Sequence, residues 1–289
     1  MRALVLDGEA RSALAVTRSL GRAGVEVTVG AASKRSLAGS SRYAGDHLLL
    51  PDPVREPDAF ATALIQQARQ RAPELWLPLT DASMTVVNEI RHELQGIQLP
   101  IPAADTLALA WDKGRLLDSA AAAGVACPRT HQPASVEEVR RLAPELEYPI
   151  VLKPRMSRWR TAAGFQLGEV SYVERAAELP DAWLEQHRQV PEPLIQERIP
   201  GHGMGVFILA REGRVLARFA HRRLREKPPT GGVSVLRESI AVPERVLGPA
   251  TRLVDSLALN DTIYYSVNKK ALVYKDAEGF VLRLSITRE

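Results

Sequence analysis

The sequence predicts an α/β protein of two domains, and three observations carry that expectation. An apolar run from Ala3 to Leu6, a helical pattern from about Ser12 to Gly24 and an alternating run from Val25 to Val29 follow one another at the start. Strand, helix, strand in that order implies a right-handed parallel βαβ unit. Later, an apolar run from Tyr148 ends in Lys153, as a buried strand carrying a cation at its end. Finally, Val206 to Ala210 and Val215 to Ala220 flank Glu212–Gly213 and read as a hairpin after a link containing Gly201, Gly203 and Gly205.

The remaining elements follow in order. Leu14, Val16, Leu20 and Ala23 lie on or near one helix face, and Gly24 is a stop signal. The first turn, Asp7-Gly8-Glu9-Ala10, lacks G-x-G-x-x-G, so a nicotinamide fingerprint is not supported. Ser33-Lys34-Arg35-Ser36 to Ser40-Ser41-Arg42-Tyr43 is a surface loop or a ligand-facing one. His47 to Leu50 is a strand, Pro57 to Arg71 a helix and Leu75 to Leu79 a strand. Thr80 or Asp81 caps the next helix, and Ile97 to Ile101 closes a doubly wound first domain, 1–104. In the second domain, 105–289, Asp105-Thr106 caps a helix through Ala110, and a small-residue helix ends at Gly124. Val136 to Leu142 is a helix, Val170 to Val173 a strand, Ala176 to His187 a helix, and Val242 to Leu257 mostly helix. This domain divides into subdomains 105–190 and 191–289.

Bulk properties narrow the function. A net charge of +4 over 289 residues does not indicate nucleic-acid binding. The basic cluster His221, Arg222, Arg223, Arg225, Lys227 is local, and no aromatic residue stands between Arg222 and Gly232 to stack a base. One cysteine, Cys127, excludes an intrachain disulfide and a cysteine-based zinc site. There is no membrane-length apolar segment and no leader with a cleavage site, and a cytoplasmic location fits.

Gln196-Glu197-x-Ile199-Pro200-Gly201, a hairpin, and then His221-Arg222-Arg223-x-Arg225-Glu226-x-Pro228-Pro229-Thr230-Gly231-Gly232 resembles the ATP-grasp enzymes. Within them the pattern is nearest the ATP-dependent carboxylate–amine ligase-like group. Asp112-Lys113, a helix, and Gly124-Val125-x-x-Pro128-x-Thr130 extend the resemblance, as does Pro149-x-Val151-x-Lys153-Pro154. It implies a pre-ATP-grasp domain followed by an ATP-grasp domain, with ATP as cofactor, Mg²⁺, and a small-molecule carboxylate and amine as substrates. A homodimer stays open. By resemblance, Lys113 and Lys153 hold phosphates, and Arg158 and Arg160 belong to an arginine-rich version of the phosphate-covering loop, Arg155 to Gly168. Gln196, Glu197 and Ile199 form the adenine hinge, with Glu197 alternating to the other face. Arg222 and Arg223 bind the substrate carboxylate or the acyl phosphate.

Plainer readings stand beside these. A lysine next to an aspartate, as at Asp112-Lys113, is ordinarily a solvated pair. Lys153 needs an anion or water to offset its desolvation. The arginine-rich loop reads equally as a surface hairpin, and the basic run as an edge that discourages strand pairing. Alternation sets Arg222 opposite His221 and Arg223. His221 is not assigned as a general base, because no orienting carboxylate is evident.

The resemblance weakens after Leu257. Mg²⁺ requires hard oxygen ligands, usually carboxylates. In the family one strand bears a glutamate and a later one Glu-x-Asn. Here Ser266 stands at the first position, and Ser285 and Thr287 at the second. Asp276 and Glu278 read as a turn before Gly279. No metal ligand is assigned, and the last layer is expected to be altered or abbreviated. A second reading follows: a nucleotide-binding, catalytically silent ATP-grasp-like protein.

Overall fold

The computed structural model describes residues 1–70, 74–211, 214–227, 233–257, 272–275 and 281–284. Two compact units result. One contains Met1–Ile101 and Arg158–Gln166; the other contains Pro102–Ser157 and the described residues from Leu167 onward.

The first unit is built from β1 (Arg2–Val5), α1 (Arg11–Arg22), β2 (Glu26–Ala31), β3 (Asp46–Leu49), α2 (Pro57–Gln70), β4 (Leu75–Leu77) and α3 (Asp81–Glu89). Its sheet has the order β3-β2-β1-β4, and all its pairings are parallel. A parallel sheet must be covered on both faces, and the two apolar sets in β1 do this. Leu4 joins Phe60, Leu64, Trp76 and Val86 in one core, while Val5 joins Ala13, Val27, Val29 and Leu77 in the other. Gly24, at φ +79°, closes α1 in the left-handed conformation expected of a helix stop. Thr80 is the N-cap of α3 and forms a reciprocal capping box with Ser83.

Asp7, at φ +59°, ends this unit's first strand. Its carboxylate accepts from Leu79 N at 2.7 Å, Thr80 N at 3.0 Å, Thr80 Oγ1 at 2.9 Å and Ser83 Oγ at 2.6 Å. One side chain thereby ties the end of β1 to the start of α3. Burial pushes this carboxyl upward, against the pull of those four donors.

The second unit begins with α4 (Ala104–Trp111), α5 (Lys113–Ala122), β5 (Thr130–His131), α6 (Val136–Leu142) and β6 (Ile150–Lys153). The hairpin β7 (Arg158–Thr161) and β8 (Gly164–Leu167) comes next, and most of it belongs to the first unit. Then follow β9 (Ser171–Val173), α7 (Leu179–Gln189), β10 (Leu194–Glu197), β11 (Gly203–Arg211), β12 (Arg214–Lys227), β13 (Val233–Ile240), α8 (Glu244–Ser256), β14 (Leu272–Lys275) and β15 (Val281–Leu284).

This unit has two sheets, ordered β5-β10-β6-β9 and β13-β12-β11-β15-β14. In the first, Ile150, Leu152 and Ile195 face α6 and α7 and bury Val139, Leu179 and Trp183 with them. In the second, Met204, Val206, Ile208 and Ala210 face α8 and bury Val246 and Ala250. Leu116, Leu117 and Ala120 of α5 meet Leu194, Leu253 and Leu257, so α5, β10 and α8 share one core. Arg252 reinforces that contact, donating to the carbonyls of Ala123 and Gly124 at 3.1 Å each.

Two features differ from the sequence reading. Gly203 and Gly205 lie inside β11 and not in a link before it. The basic run His221 to Lys227 continues β12 as regular strand, because β13 pairs along it from Ala220 to Lys227. β13 has no counterpart in the sequence reading; its alternation, Val233-Ser-Val-Leu-Arg-Glu-Ser-Ile240, is broken by adjacent apolar and charged pairs. Register shifts on both sides of Arg225 show why: bulges absorb the irregularity.

Candidate functional site

Lys153 and Gln196 share one face of neighbouring strands. In the antiparallel β6–β10 pair, Lys153 stands opposite Leu194 and Val151 opposite Gln196. Alternation carries Ile150, Leu152 and Ile195 to the core on the other side. The Lys153 ammonium donates to Gln196 Oε1, and Gln196 Nε2 donates to Thr130 Oγ1 at 2.8 Å on β5. Gln196 is almost fully buried and Lys153 half-buried. This polar chain, Thr130–Gln196–Lys153, crosses three strands and fixes where the ammonium ends. Thr130 was not singled out, although it closes the Gly-Val-x-x-Pro-x-Thr phrase.

Lys113 arrives at the same place from another element. It is the first residue of α5, with Asp112 as N-cap accepting from Gly114 N at 2.9 Å and Arg115 N at 3.1 Å. Lys113 is only 3% exposed. Its Nζ donates to the Pro154 carbonyl at 2.9 Å and the Arg155 carbonyl at 3.3 Å, and its backbone N donates to Arg155 O at 3.0 Å. The plain reading of a solvated Asp112–Lys113 pair is therefore not what the chain adopts. Asp112 instead accepts from Arg155 Nη1 at 3.0 Å, and Arg155 Nη2 donates to Gln132 Oε1 at 3.0 Å. Lys113 thus anchors the turn that follows Lys153, while the Lys153 ammonium itself is held by Gln196.

Glu197 and Ile199 are placed differently. Glu197 alternates away from Gln196, as expected, and accepts from Arg129 N at 2.8 Å and Arg129 Nε at 3.2 Å. Ile199 follows β10 and is half-buried. Arg158 and Arg160 lie on β7, in the first unit. Arg160 is held there by ion pairs to Asp58 and Glu89. Arg158 has buried Nε and Nη1 atoms with no hydrogen-bond partner among the described residues.

Arg222 and Arg223 lie on opposite faces of β12. Arg222 is exposed and pairs with Glu238 on β13, Nε to Oε1 at 2.6 Å. Arg223, with its side chain 1% exposed, donates from Nη1 to Glu226 Oε1 at 3.0 Å. The two arginines therefore do not face one ligand. His221 shares Arg223's face and packs beside Phe207 and Phe219 at ring distances of 5.1 and 6.4 Å. Burial, then the charges of Arg237 and Arg223, lower its pKa to about 4, so the imidazole is neutral near pH 7. Burial pushes the Cys127 thiol up to about 11, which makes it a poor nucleophile.

Among the described residues, no group of three His, Cys, Asp or Glu could hold a metal ion. Asp261, Ser266, Asp276, Glu278, Ser285 and Thr287 lie outside the described residues, as do Pro228 to Gly232. Among the described residues, no helix is long and apolar enough to cross a membrane.

No family model matches the sequence. A formate-dependent phosphoribosylglycinamide formyltransferase of Synechococcus sp. (strain CC9605) is 32% identical over 145 residues, covering 49% of this chain and 35% of that protein. The biotin carboxylase of Campylobacter jejuni, in a β,γ-ATP complex, superposes with a TM-score of 0.74 at 16% identity, over 99% of this chain and 65% of that one. The L-amino acid ligase of Bacillus licheniformis gives 0.67 at 15% identity over 98% and 66%. The N5-carboxyaminoimidazole ribonucleotide synthetase of Thermotoga maritima gives 0.63 at 16% over 99% and 67%. The chain thus spans about two-thirds of these solved structures, and the matched stretch spans about a third of the curated relative. The chain has the ATP-grasp fold.

Proposed function

We propose that the chain binds ATP on the β6–β10 face and uses it to join a carboxylate to an amine. The observation that carries this reading is the half-buried Lys153 at the end of β6, with Lys113 anchored to the turn that follows it, in an ATP-grasp fold. A half-buried ammonium at a strand end suits an anion such as a phosphate. In the reaction, a substrate carboxylate oxygen attacks the γ-phosphorus and the bond to the bridging β–γ oxygen breaks. ADP leaves, and an acyl phosphate remains. The amine then attacks the acyl carbon, the C–O bond to phosphate breaks, and the amine nitrogen gives up a proton. Lys153 holds phosphate oxygens where that charge develops. Lys113, tied to the carbonyls of Pro154 and Arg155, acts mainly by positioning the turn that presents Lys153. Gln196, anchored on Thr130, orients the Lys153 ammonium.

Ser266, Ser285 and Thr287, where the resembled family carries its carboxylate and carboxamide ligands, favour one second reading, a nucleotide binder without turnover. Both are tested by titrating ATP calorimetrically into wild type and Lys153→Met, with and without Mg²⁺, and then assaying ADP release with mixed carboxylates and amines. Loss of one charged contact should weaken ATP binding about tenfold or more. ADP release that requires both substrates establishes the ligase, whereas binding without release establishes the silent binder. No ATP binding by wild type refutes both.

A further inference from the structure

Arg155 opens the arginine-rich stretch, yet its side chain turns back into the second unit. Its Nη1 donates to Asp112 Oδ1 at 3.0 Å and its Nη2 to Gln132 Oε1 at 3.0 Å, and Nη2 also lies 3.3 Å from Glu192 Oε2. Those partners come from three places: the N-cap of α5, the residue after β5, and the segment between α7 and β10. The guanidinium side chain is 19% exposed and stands between two carboxylates. Two of its nitrogens are spent on protein acceptors, and the third, Nε, is buried. The planar fork of a guanidinium suits such divided attachment, which the point charge of a lysine would not.

The backbone of Arg155 is tied to the same helix end. Its carbonyl accepts from Lys113 N at 3.0 Å and Lys113 Nζ at 3.3 Å. Side chain and main chain of one residue therefore hold the first turn of α5 against the end of β6. Gly114 makes room for this, because a Cβ there would fall too close to Arg155 Nη1 and Gln132 Oε1. Gln132 continues the network, donating from Nε2 to Asp118 Oδ1 at 3.0 Å further along α5. Glu192 stands on the other side at φ +54°, a left-handed conformation that glutamate rarely adopts, with its N donating to His187 Nδ1 at 3.1 Å. Such a backbone persists only where its surroundings over-determine it, and the ion pair to Arg155 is one of those constraints. Lys153 is joined to Arg155 through Pro154 alone, whose carbonyl also accepts from Lys113.

We propose that Arg155 is a positioning residue and not a phosphate ligand. It clamps α5, the exit of β5 and the α7–β10 segment to the turn after Lys153, and so fixes the strand end from which the Lys153 ammonium meets its anion. The effect at the ammonium rests on the ATP reading; the clamp itself rests on contacts within the second unit. The first arginine of the stretch thereby serves the opposite purpose to the one its composition suggests.

ATP is titrated calorimetrically into the full chain as wild type, Arg155→Met, Lys153→Met and the double variant. Arg155 acts through Lys153, so Arg155→Met should lose no more affinity than Lys153→Met, about tenfold. In the Lys153→Met background it should cost less than about twofold further, whereas an independent phosphate ligand would add its full loss. Additive losses, or no loss in Arg155→Met, overturn the proposal. Glu192→Gln is the second variant, at a half-exposed carboxylate. Charge alone would tighten ATP binding once an acid is removed and Arg155 is released, but a loosened clamp should weaken it about threefold. Equal or tighter binding overturns the proposal. Amide exchange of the nucleotide-free chain reads the clamp without ATP. As the first residue of α5, Lys113 has no intrahelical acceptor for its N–H, which is bonded to Arg155 O. In Arg155→Met that amide should exchange about tenfold faster or more, while the amides of β1 and β2 keep their wild-type rates. Unchanged exchange at Lys113 overturns the clamp. Wild type that binds no ATP sinks the nucleotide reading and the effect at Lys153, while the exchange comparison still decides the clamp.

Discussion

The same substitution, glycine to alanine, should cost very different amounts of stability at two positions. At Gly248, inside α8, an added Cβ would meet Arg252 Nη1 at 3.6 Å, with Pro249 next in the chain. A helix-interior glycine costs roughly 0.8–1 kcal/mol relative to alanine, but the ring of Pro249 crowds the Cβ of a helical residue before it, so the two terms offset and Gly248→Ala should be close to neutral. At Gly203 the added Cβ would lie 2.6 Å from Arg223 Cδ and from Glu226 Oε1. Cδ is the middle of a side chain that is 1% exposed, so it cannot swing into solvent without leaving its ion pair. Overpacking typically costs ~1–3 kcal/mol, which exceeds the ~0.5–1 kcal/mol that replacing a strand glycine gains in chain entropy. Gly203→Ala should therefore lose about 1–2 kcal/mol net. Equilibrium urea unfolding of the two variants beside wild type reads both values with a common m-value. If Gly203→Ala proves neutral or stabilising while Gly248→Ala behaves as stated, Arg223 does not lie across β11, and the reasoning fails.

Two further outcomes follow from buried ionisable groups. His221 has a folded pKa of about 4 against 6.5 for the free group. Its neutral form is favoured by the fold, so its contribution is fully present above about pH 6.5 and lost as pH falls through 4. The span corresponds to roughly 3 kcal/mol at 1.36 kcal/mol per unit, with the charges of Arg237 and Arg223 acting on the ring throughout. In urea titrations between pH 7 and 4, His221→Phe should flatten this acid limb; an unchanged slope would falsify the assignment. Asp7→Ala leaves the N–H groups of Leu79 and Thr80 without their acceptor and places alanine at φ +59°. A loss of about 2–4 kcal/mol is expected, with Asp7→Asn milder because asparagine tolerates that φ and keeps an acceptor. Equal losses in the two variants would refute the backbone part of this account.

Local signals made much of the fold legible. The N-terminal βαβ order, the Gly24 and Gly124 stops, the Thr80 cap and the helix at Val136 to Leu142 each depend on a few adjacent residues, and each appears where the sequence places it. Lys153 and Gln196 were legible as candidates because both sit in short motifs. Their contact through Thr130 was not, because it joins residues 43 and 66 positions apart in the chain. The arginine-rich stretch shows the opposite failure. Its composition suggests phosphate, yet Arg160 is neutralised by Asp58 and Glu89, which lie 102 and 71 positions away.

The second sheet shows most clearly where one-dimensional reading ends. The spacing of Gly203 and Gly205 reads as a flexible link, and His221 with Arg223 reads as a basic edge, when each is taken alone. Antiparallel pairing with a partner 16 residues along turns them into one surface, in which the small residues exist for the large ones. Alternation by itself was enough to separate Arg222 from Arg223. It could not supply Arg237, because β13 reaches its register only through bulges that no period detects. What looks in sequence like a run of five basic residues is therefore two opposed sets. One is neutralised at the surface by Glu238. The other is buried against glycine, with a cross-strand arginine and a neutral histidine beside it.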